Sequence, residues 1–170
     1  MNTSDAVIFL DSPEAVSVDK PDFPRGTGNH FVVIPVAEVN MPVMNAIRYA
    51  KILSGKIVAV HILLNPSDGD RIEYRWKMQD IDIPLMVLES PEGSLIRPLK
   101  AYVDGIRSSH KESVVTIVLP VLVGLKWWQR VLHNQTARLI ERAFEREAGV
   151  ATIRVPFSLP DASCKGSCAL

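Results

Sequence analysis

The stretch FVVIPVAEVNMPVMNAIRYAKILSGKIVAVHILL, residues 31–64, decides the fold. It opens with a continuous apolar and mostly β-branched run at residues 31–36, which is typical of a strand covered on both faces. A helical pattern follows, with Asn40 placed to cap it and Gly55 placed to end it. A second buried run at residues 56–64 completes the unit. Strand, helix and strand in this order predict a parallel pair with a right-handed crossover.

The same alternation continues downstream. The sequence predicts further strands at residues 84–88, 114–119 and 151–157, helices at residues 92–108 and 136–147, and a short helix with a weaker pattern at residues 71–78. Strands alternating with helices favour an α/β fold. We expect a flavodoxin/Rossmann-like open parallel sheet of five strands, in the order 3-2-1-4-5, with helices on both faces.

The chain divides into three parts by composition. Residues 1–30 are rich in Pro, Asp, Ser and Gly and are predicted to be an N-terminal extension or linker, with a stray strand at residues 6–10. Residues 31–159 form the predicted α/β domain, and residues 160–170 a flexible tail. The tail holds Cys164 and Cys168, which we interpret as exposed thiols because no third metal ligand lies nearby; a metal-binding or redox pair is the alternative.

Charge and hydropathy exclude several classes of protein. Nineteen basic and nineteen acidic residues give a formal net charge of zero, so no bulk charge attracts a nucleic acid polymer. No apolar run approaches the roughly 18 residues of a membrane span. The first residues lack the basic region of a signal peptide. A cytoplasmic location is therefore expected, and a phosphate-bearing ligand would need a local site.

The predicted strand order places that local site. Ligands of open α/β sheets bind beyond the carboxyl ends of the strands where the order reverses, here the first and fourth predicted strands. Residues 37–40 and 119–136 therefore hold the candidate site. His61 lies inside the second strand and is interpreted as a hydrogen-bonded core histidine.

The second of these segments resembles the universal stress protein family. That family spaces two glycines and a Gly-Ser or Gly-Thr pair in a pattern that this chain keeps at Pro120, Val123 and His133–Asn134, without the glycines. The resemblance implies a nucleotide site, but Pro and Val do not allow the close backbone approach to phosphate that glycine allows. Members that bind ATP usually carry Asp where this chain has Ala37. ATP binding in the usual manner of the family is therefore not expected.

A narrower resemblance rests on the strings ESPEGSLIRPLKAYVD, KWWQRVLHNQTA and ATIRVPFSL. They look like the cytosolic carboxyl-terminal domain of permeases of the amino acid–polyamine–organocation superfamily, over roughly residues 30–159. Potassium importers regulated by cyclic di-AMP belong to that superfamily. The resemblance implies a regulatory domain that binds a nucleotide, with cyclic di-AMP favoured over ATP, and that acts on a potassium or amino-acid permease.

The candidate nucleotide-binding residues come from both crevice segments. His133, Asn134, Gln135 and Thr136 are predicted to start a helix, whose free amides attract anions; capping alone by Asn134 or Thr136 is the alternative. Ala37, Pro120 and Val123 are candidates because of their positions in the two segments, and Lys126 and Arg130 because they could add positive charge. Glu38 could accept a hydrogen bond from a ribose hydroxyl or an adenine amino group. Trp128 could stack on a purine, or it could be a core or lid residue.

The sequence shows no catalytic signature. No Gly-x-Ser-x-Gly elbow, Walker loop or His-Glu-x-x-His motif is present, and we predict neither an enzyme nor a metal site. Residues 151–157 are predicted to form an edge strand that pairs two copies into a homodimer, although Pro156 opposes pairing. The alternative to the nucleotide-binding hypothesis is a dimeric protein-interaction module without a small ligand.

Overall fold

The computed structural model describes residues 7–8, 29–65, 68–90, 92–110, 112–123 and 127–158, with only the backbone described for residues 7–8 and 127–134. Six strands form one sheet within these residues: β1 (Val7–Ile8), β2 (His30–Pro35), β3 (Ile57–Leu63), β4 (Leu85–Glu89), β5 (Val114–Val123) and β6 (Val150–Ser158). Their order is β1-β4-β3-β2-β5-β6, and every pair is parallel. The predicted order of the five main strands is confirmed. The two-residue β1 adds a sixth strand beside β4 and falls within the predicted stray strand.

In the described part of the chain, four helices connect the strands: α1 (Met41–Leu53), α2 (Gly69–Met78), α3 (Ile96–Ser109) and α4 (Trp127–Phe144). The start of α1 follows the sequence prediction, because the Val43 amide donates a hydrogen bond of 3.1 Å to Asn40 Oδ1. Helix α3 starts at Ile96, four residues later than predicted, which places Pro98 in the first turn, where its missing amide leaves no gap.

The start of α4 corrects the sequence analysis. The helix begins at Trp127, nine residues before the predicted start at Thr136. Residues 133–136 therefore lie within the helix, where each amide donates to the carbonyl four residues earlier. The amides without a helical partner belong to residues 127–130. The prediction that the amides of residues 133–136 are free to hold an anion is wrong.

Strand β5 is also longer than predicted. It continues through Val123 instead of ending at Leu119, and its last residues pair with β6, Pro120 opposite Val155 and Val123 opposite Ser158. Pro120 and Val123 stand at the positions where the universal stress protein pattern has glycines. Here they belong to a strand, because the parallel neighbour β6 runs alongside them as far as Ser158.

The core has two layers, one on each face of the sheet. Buried residues of α1 and α2 pack on one face, and those of α3 and α4 pack on the other. Helix α2 contributes Ile72 and Trp76, one turn apart, and Trp76 Nε1 donates to Ile83 O over 3.0 Å. The two layers of helices leave the carboxyl ends of β2, β3 and β5 as the place where a site can open.

Tyr102 on α3 packs against the core and supplies a pH-dependent prediction. Burial raises the pKa of its hydroxyl to about 12, whereas an unfolded tyrosine ionises near about 10. Between these values the unfolded chain loses this proton and the folded chain keeps it. The contribution of the protonated Tyr102 hydroxyl to the free energy of unfolding is thus complete below about pH 10 and is lost as the pH rises through about 12.

We therefore expect the free energy of unfolding to fall steeply between about pH 10 and 12, and the variant Tyr102→Phe to show a shallower fall. Urea unfolding at a series of pH values measures both. Tyr49→Phe is the matched control, since Tyr49 is exposed. Identical pH profiles for the wild type and Tyr102→Phe would contradict the assignment.

Candidate functional site

A cleft opens at the carboxyl ends of the central strands, with a volume of about 520 Å³. This volume lies within the range of roughly 300–1,000 Å³ that is usual for small-molecule sites. Its described lining comes from the ends of β2, β3 and β5, from the loops after β2 and β3, from α1, α2 and α4, and from Leu95 just before α3. The described lining residues are Pro35, Val36, Ala37, Glu38, Asn40, Pro42, Val43, Val60, His61, Ile62, Leu64, Asn65, Asp68, Arg71, Leu95, Leu119, Pro120, Leu122, Thr136, Ala137 and Ile140.

The cleft is where topology places it. Strand β2 has β3 on one side and β5 on the other, so the connections after β2 and β5 run to opposite sides and separate. Apolar side chains such as Val36, Leu119 and Ile140 form its deeper part, and all three are at most 3% exposed. The inner lining of the cleft is therefore apolar, with Val36 on one face of the sheet and Leu119 and Ile140 on the other.

Val36 and His61 form the floor of the cleft, where their hydrogen bonds join the ends of β2 and β3. The Val36 amide donates to Val60 O over 2.8 Å, which extends the pairing of β2 with β3 beyond Pro35. His61 Nδ1 lies 2.8 Å from Val36 O. A carbonyl oxygen only accepts, so Nδ1 carries the proton and donates. The ring thus joins the two strands at the point where β2 ends, and the predicted hydrogen-bonded core histidine is confirmed.

The rim of the cleft carries charge of both signs. Arg71 Nη2 donates to Asp68 Oδ1 over 3.1 Å, and Asn65 Nδ2 donates to Asp68 Oδ2 over 3.4 Å. Arg75, one turn further along α2, lines a void of about 10 Å³ together with Glu38, His61 and Arg71. The arginines of α2 are therefore the described cations nearest the floor, and carboxylates partly balance them.

Four of the residues predicted from the sequence line the cleft. Ala37 and Glu38 follow β2, Pro120 lies in β5, and Thr136 lies on α4; all but the half-buried Pro120 are exposed. Val123 packs against the core instead, and the exposed Gln135 is not part of the described lining. The two segments chosen by topology therefore do meet at one opening, through some of their members.

The side chains of the other predicted residues lie outside the part of the chain that the structure describes. Lys126 falls outside the described residues. Trp128, Arg130, His133 and Asn134 belong to α4, but their side chains lie outside the described residues. Their proposed roles stay predictions.

Two cations in the first half of α3, Arg97 and Lys100, form ion pairs away from the described cleft lining. Arg97 Nη1 bonds both carboxylate oxygens of Glu92, at 2.6 and 2.7 Å. Lys100 pairs with Glu147 of the chain beyond α4, a hydrogen bond that raises the pKa of Lys100 and lowers that of Glu147. Neither cation belongs to the described lining of the cleft.

Sequence reasoning missed the part of the site contributed by β3 and α2. His61, Asn65, Asp68 and Arg71 all line the cleft. The available signal was the carboxyl end of β3 with its polar turn, since β3 neighbours β2 in the predicted order. Within the described part of the chain, no group of three or more His, Cys, Asp or Glu side chains is placed to hold a metal ion. None of the helices in that part is long and apolar enough to cross a membrane.

Comparison with known proteins gives two matches. Residues 28–157 match the family described as the KimA potassium transporter C-terminal domain. The chain is also 32% identical, over 145 residues, to the potassium transporter KimA of Bacillus subtilis strain 168. That alignment covers 82% of this chain and 23% of the transporter, so the chain spans about a quarter of the length of this relative.

Proposed function

The chain belongs to the family of KimA potassium transporter C-terminal domains, and we propose that it is a non-catalytic regulatory domain that binds a nucleotide in the cleft. The proposed ligand is cyclic di-AMP, favoured over ATP, and the proposed target is a potassium or amino-acid permease on the cytoplasmic side of a membrane. The observation that carries the proposal is the open cleft of about 520 Å³ at the ends of β2 and β5.

The charges of the cleft favour a ligand with few phosphate charges. The positions at which the universal stress protein pattern has its first two glycines are occupied by Pro120 and Val123, and both lie in a strand. Of the described cations at the rim, Arg71 is already bonded to Asp68. The diester phosphates of a cyclic dinucleotide carry less charge than a triphosphate, so they match this surface better.

The alternative of a module without a small ligand predicts a closed crevice. Val123 packs against the core rather than into the cleft, and the described side chains leave it open. The position of Val123 is consistent with ligand binding; the side chains of Trp127 and Trp128, which would fill the crevice together with it in the ligand-free module, lie outside the described residues. Regulation would then be a population shift, in which the ligand favours one arrangement of the domain relative to the permease.

We also propose that two copies associate through β6. This strand pairs with β5 and with no other strand among the described residues, so it is an edge of the sheet. Edges present unpaired backbone groups that can pair with a second chain. Pro156 removes one donor from the strand, so pairing would be limited to its remaining residues.

Calorimetric titration of the chain with cyclic di-AMP, ATP and AMP tests the proposal. We expect saturable heat with cyclic di-AMP, weaker binding of ATP, and no phosphate release from ATP with magnesium. Protein at about 100 μM detects dissociation constants well into the micromolar range. No heat with any of the three nucleotides would refute nucleotide binding.

A further inference from the structure

His61 has one nitrogen without a partner at the floor of the cleft. The side chain is about 93% buried, since its residue is 7% exposed. Nδ1 is engaged with Val36 O, whereas Nε2 is buried and has no hydrogen-bond partner among the described residues. Buried polar atoms are nearly always hydrogen-bonded, so an exception calls for an explanation.

The tautomer decides what Nε2 does. Because Nδ1 donates its proton to a carbonyl, a neutral ring leaves Nε2 with a lone pair and no hydrogen. Nε2 therefore accepts. It needs an N–H or O–H donor, and it has nothing to offer to a phosphate or carboxylate oxygen.

The surroundings of His61 show where a donor can arrive. His61 lies on the sheet face covered by α1 and α2, since its neighbour in sequence, Ile62, belongs to the opposite core layer. It lines both the cleft and the void of about 10 Å³ beside it. Two walls of that void are Arg71 and Arg75, which are exposed, so changes of their rotamers can widen it.

We infer that His61 Nε2 accepts a hydrogen bond from the exocyclic amino group of a 6-aminopurine, and so selects the base of the bound nucleotide. This inference rests on the proposed nucleotide function. Val36 gives the floor an apolar side chain on the same face of the sheet as His61, and the 6-amino group is the sole N–H donor on the adenine base. A purine without that group leaves Nε2 buried and unpaired, which lowers affinity.

The test compares two probes: cyclic di-AMP and its analogue with hydrogen in place of both 6-amino groups. For the wild type we expect the analogue to bind roughly 10-fold more weakly. In His61→Asn the amide nitrogen still donates to Val36 O, but the acceptor corresponding to Nε2 is gone. This variant should bind cyclic di-AMP roughly 10-fold more weakly and the analogue no more weakly than the wild type does.

His110→Asn is the matched control, because His110 Nδ1 also bonds a carbonyl, Ile106 O at 3.2 Å, and His110 is not part of the described cleft lining. It should bind both probes as the wild type does. If His61→Asn does not fold, as judged by circular dichroism, equal binding of the two probes by the wild type still overturns the inference.

Each other outcome counts against the inference. Equal binding of both probes by the wild type overturns it while leaving the proposed function intact, and indicates that a buried water holds Nε2, for which a void of about 10 Å³ is just sufficient. An equal weakening of both probes in His61→Asn also overturns it, since the role is then structural. Binding of neither probe refutes the proposed function and this inference with it.

Discussion

Replacing Phe144 by alanine is expected to lower the free energy of unfolding by about 3–5 kcal/mol. Phe144 is the last residue of α4 and is 2% exposed. It packs in the core layer that also contains Ile140 and Ala137 of the same helix. Truncation removes its apolar contacts and leaves a cavity that the rigid sheet beneath cannot close. Urea unfolding followed by circular dichroism measures the loss.

The same helix supplies the control for this variant. Leu139 lies on the outer face of α4 and is 54% exposed. Leu139→Ala should change the free energy of unfolding by no more than about 0.5 kcal/mol, because an exposed leucine loses little on truncation. Losses of similar size in the two variants would contradict the orientation of α4 against the sheet.

The order of the sheet was predictable because burial of the central strands on both faces leaves a plain trace in the sequence. Continuous β-branched runs marked β2, β3 and β5, and Asn40 marked the start of α1. The start of α4 was not predictable from capping residues. Gln135 and Thr136 are polar because they lie on the exposed face in mid-helix, while Ala137 and Ile140 carry the buried stripe. Polar residues on the outer face of a helix resemble a cap when only the sequence is read.

Only the part of the candidate site that the strand order specifies was predictable from the sequence. Ala37 and Glu38 follow the first core strand, so the strand order alone places them at the cleft. His61 and Arg71 depend on contacts between elements. His61 meets Val36 because of the register of β3 against β2, and Arg71 reaches the rim because of where the first turn of α2 lies. Neither the register of two strands nor the position of a crossing helix can be read from hydrophobic periodicity.

The variant Ala37→Trp is expected to weaken nucleotide binding by at least about 100-fold. Ala37 is exposed and lines both the cleft and the small void beside His61. An indole at this position takes up much of the space beside His61 that a purine needs, so the base can no longer enter there. Because Ala37 is exposed, we expect the free energy of unfolding to change by less than about 1 kcal/mol.

Ala101→Trp is the control for steric effects of a new tryptophan. Ala101 is exposed on α3 and is not part of the described cleft lining. This variant should bind cyclic di-AMP with the affinity of the wild type in the same calorimetric titration.

Binding that survives in Ala37→Trp would place the ligand outside the cleft. Loss in Ala37→Trp with retention in Ala101→Trp would locate the base between β2 and α2, because Ala37 and His61 wall the same space. The two variants at Ala37 and His61 then separate two contributions: bulk at position 37 excludes every nucleotide, whereas the change at position 61 discriminates only between bases with and without the amino group.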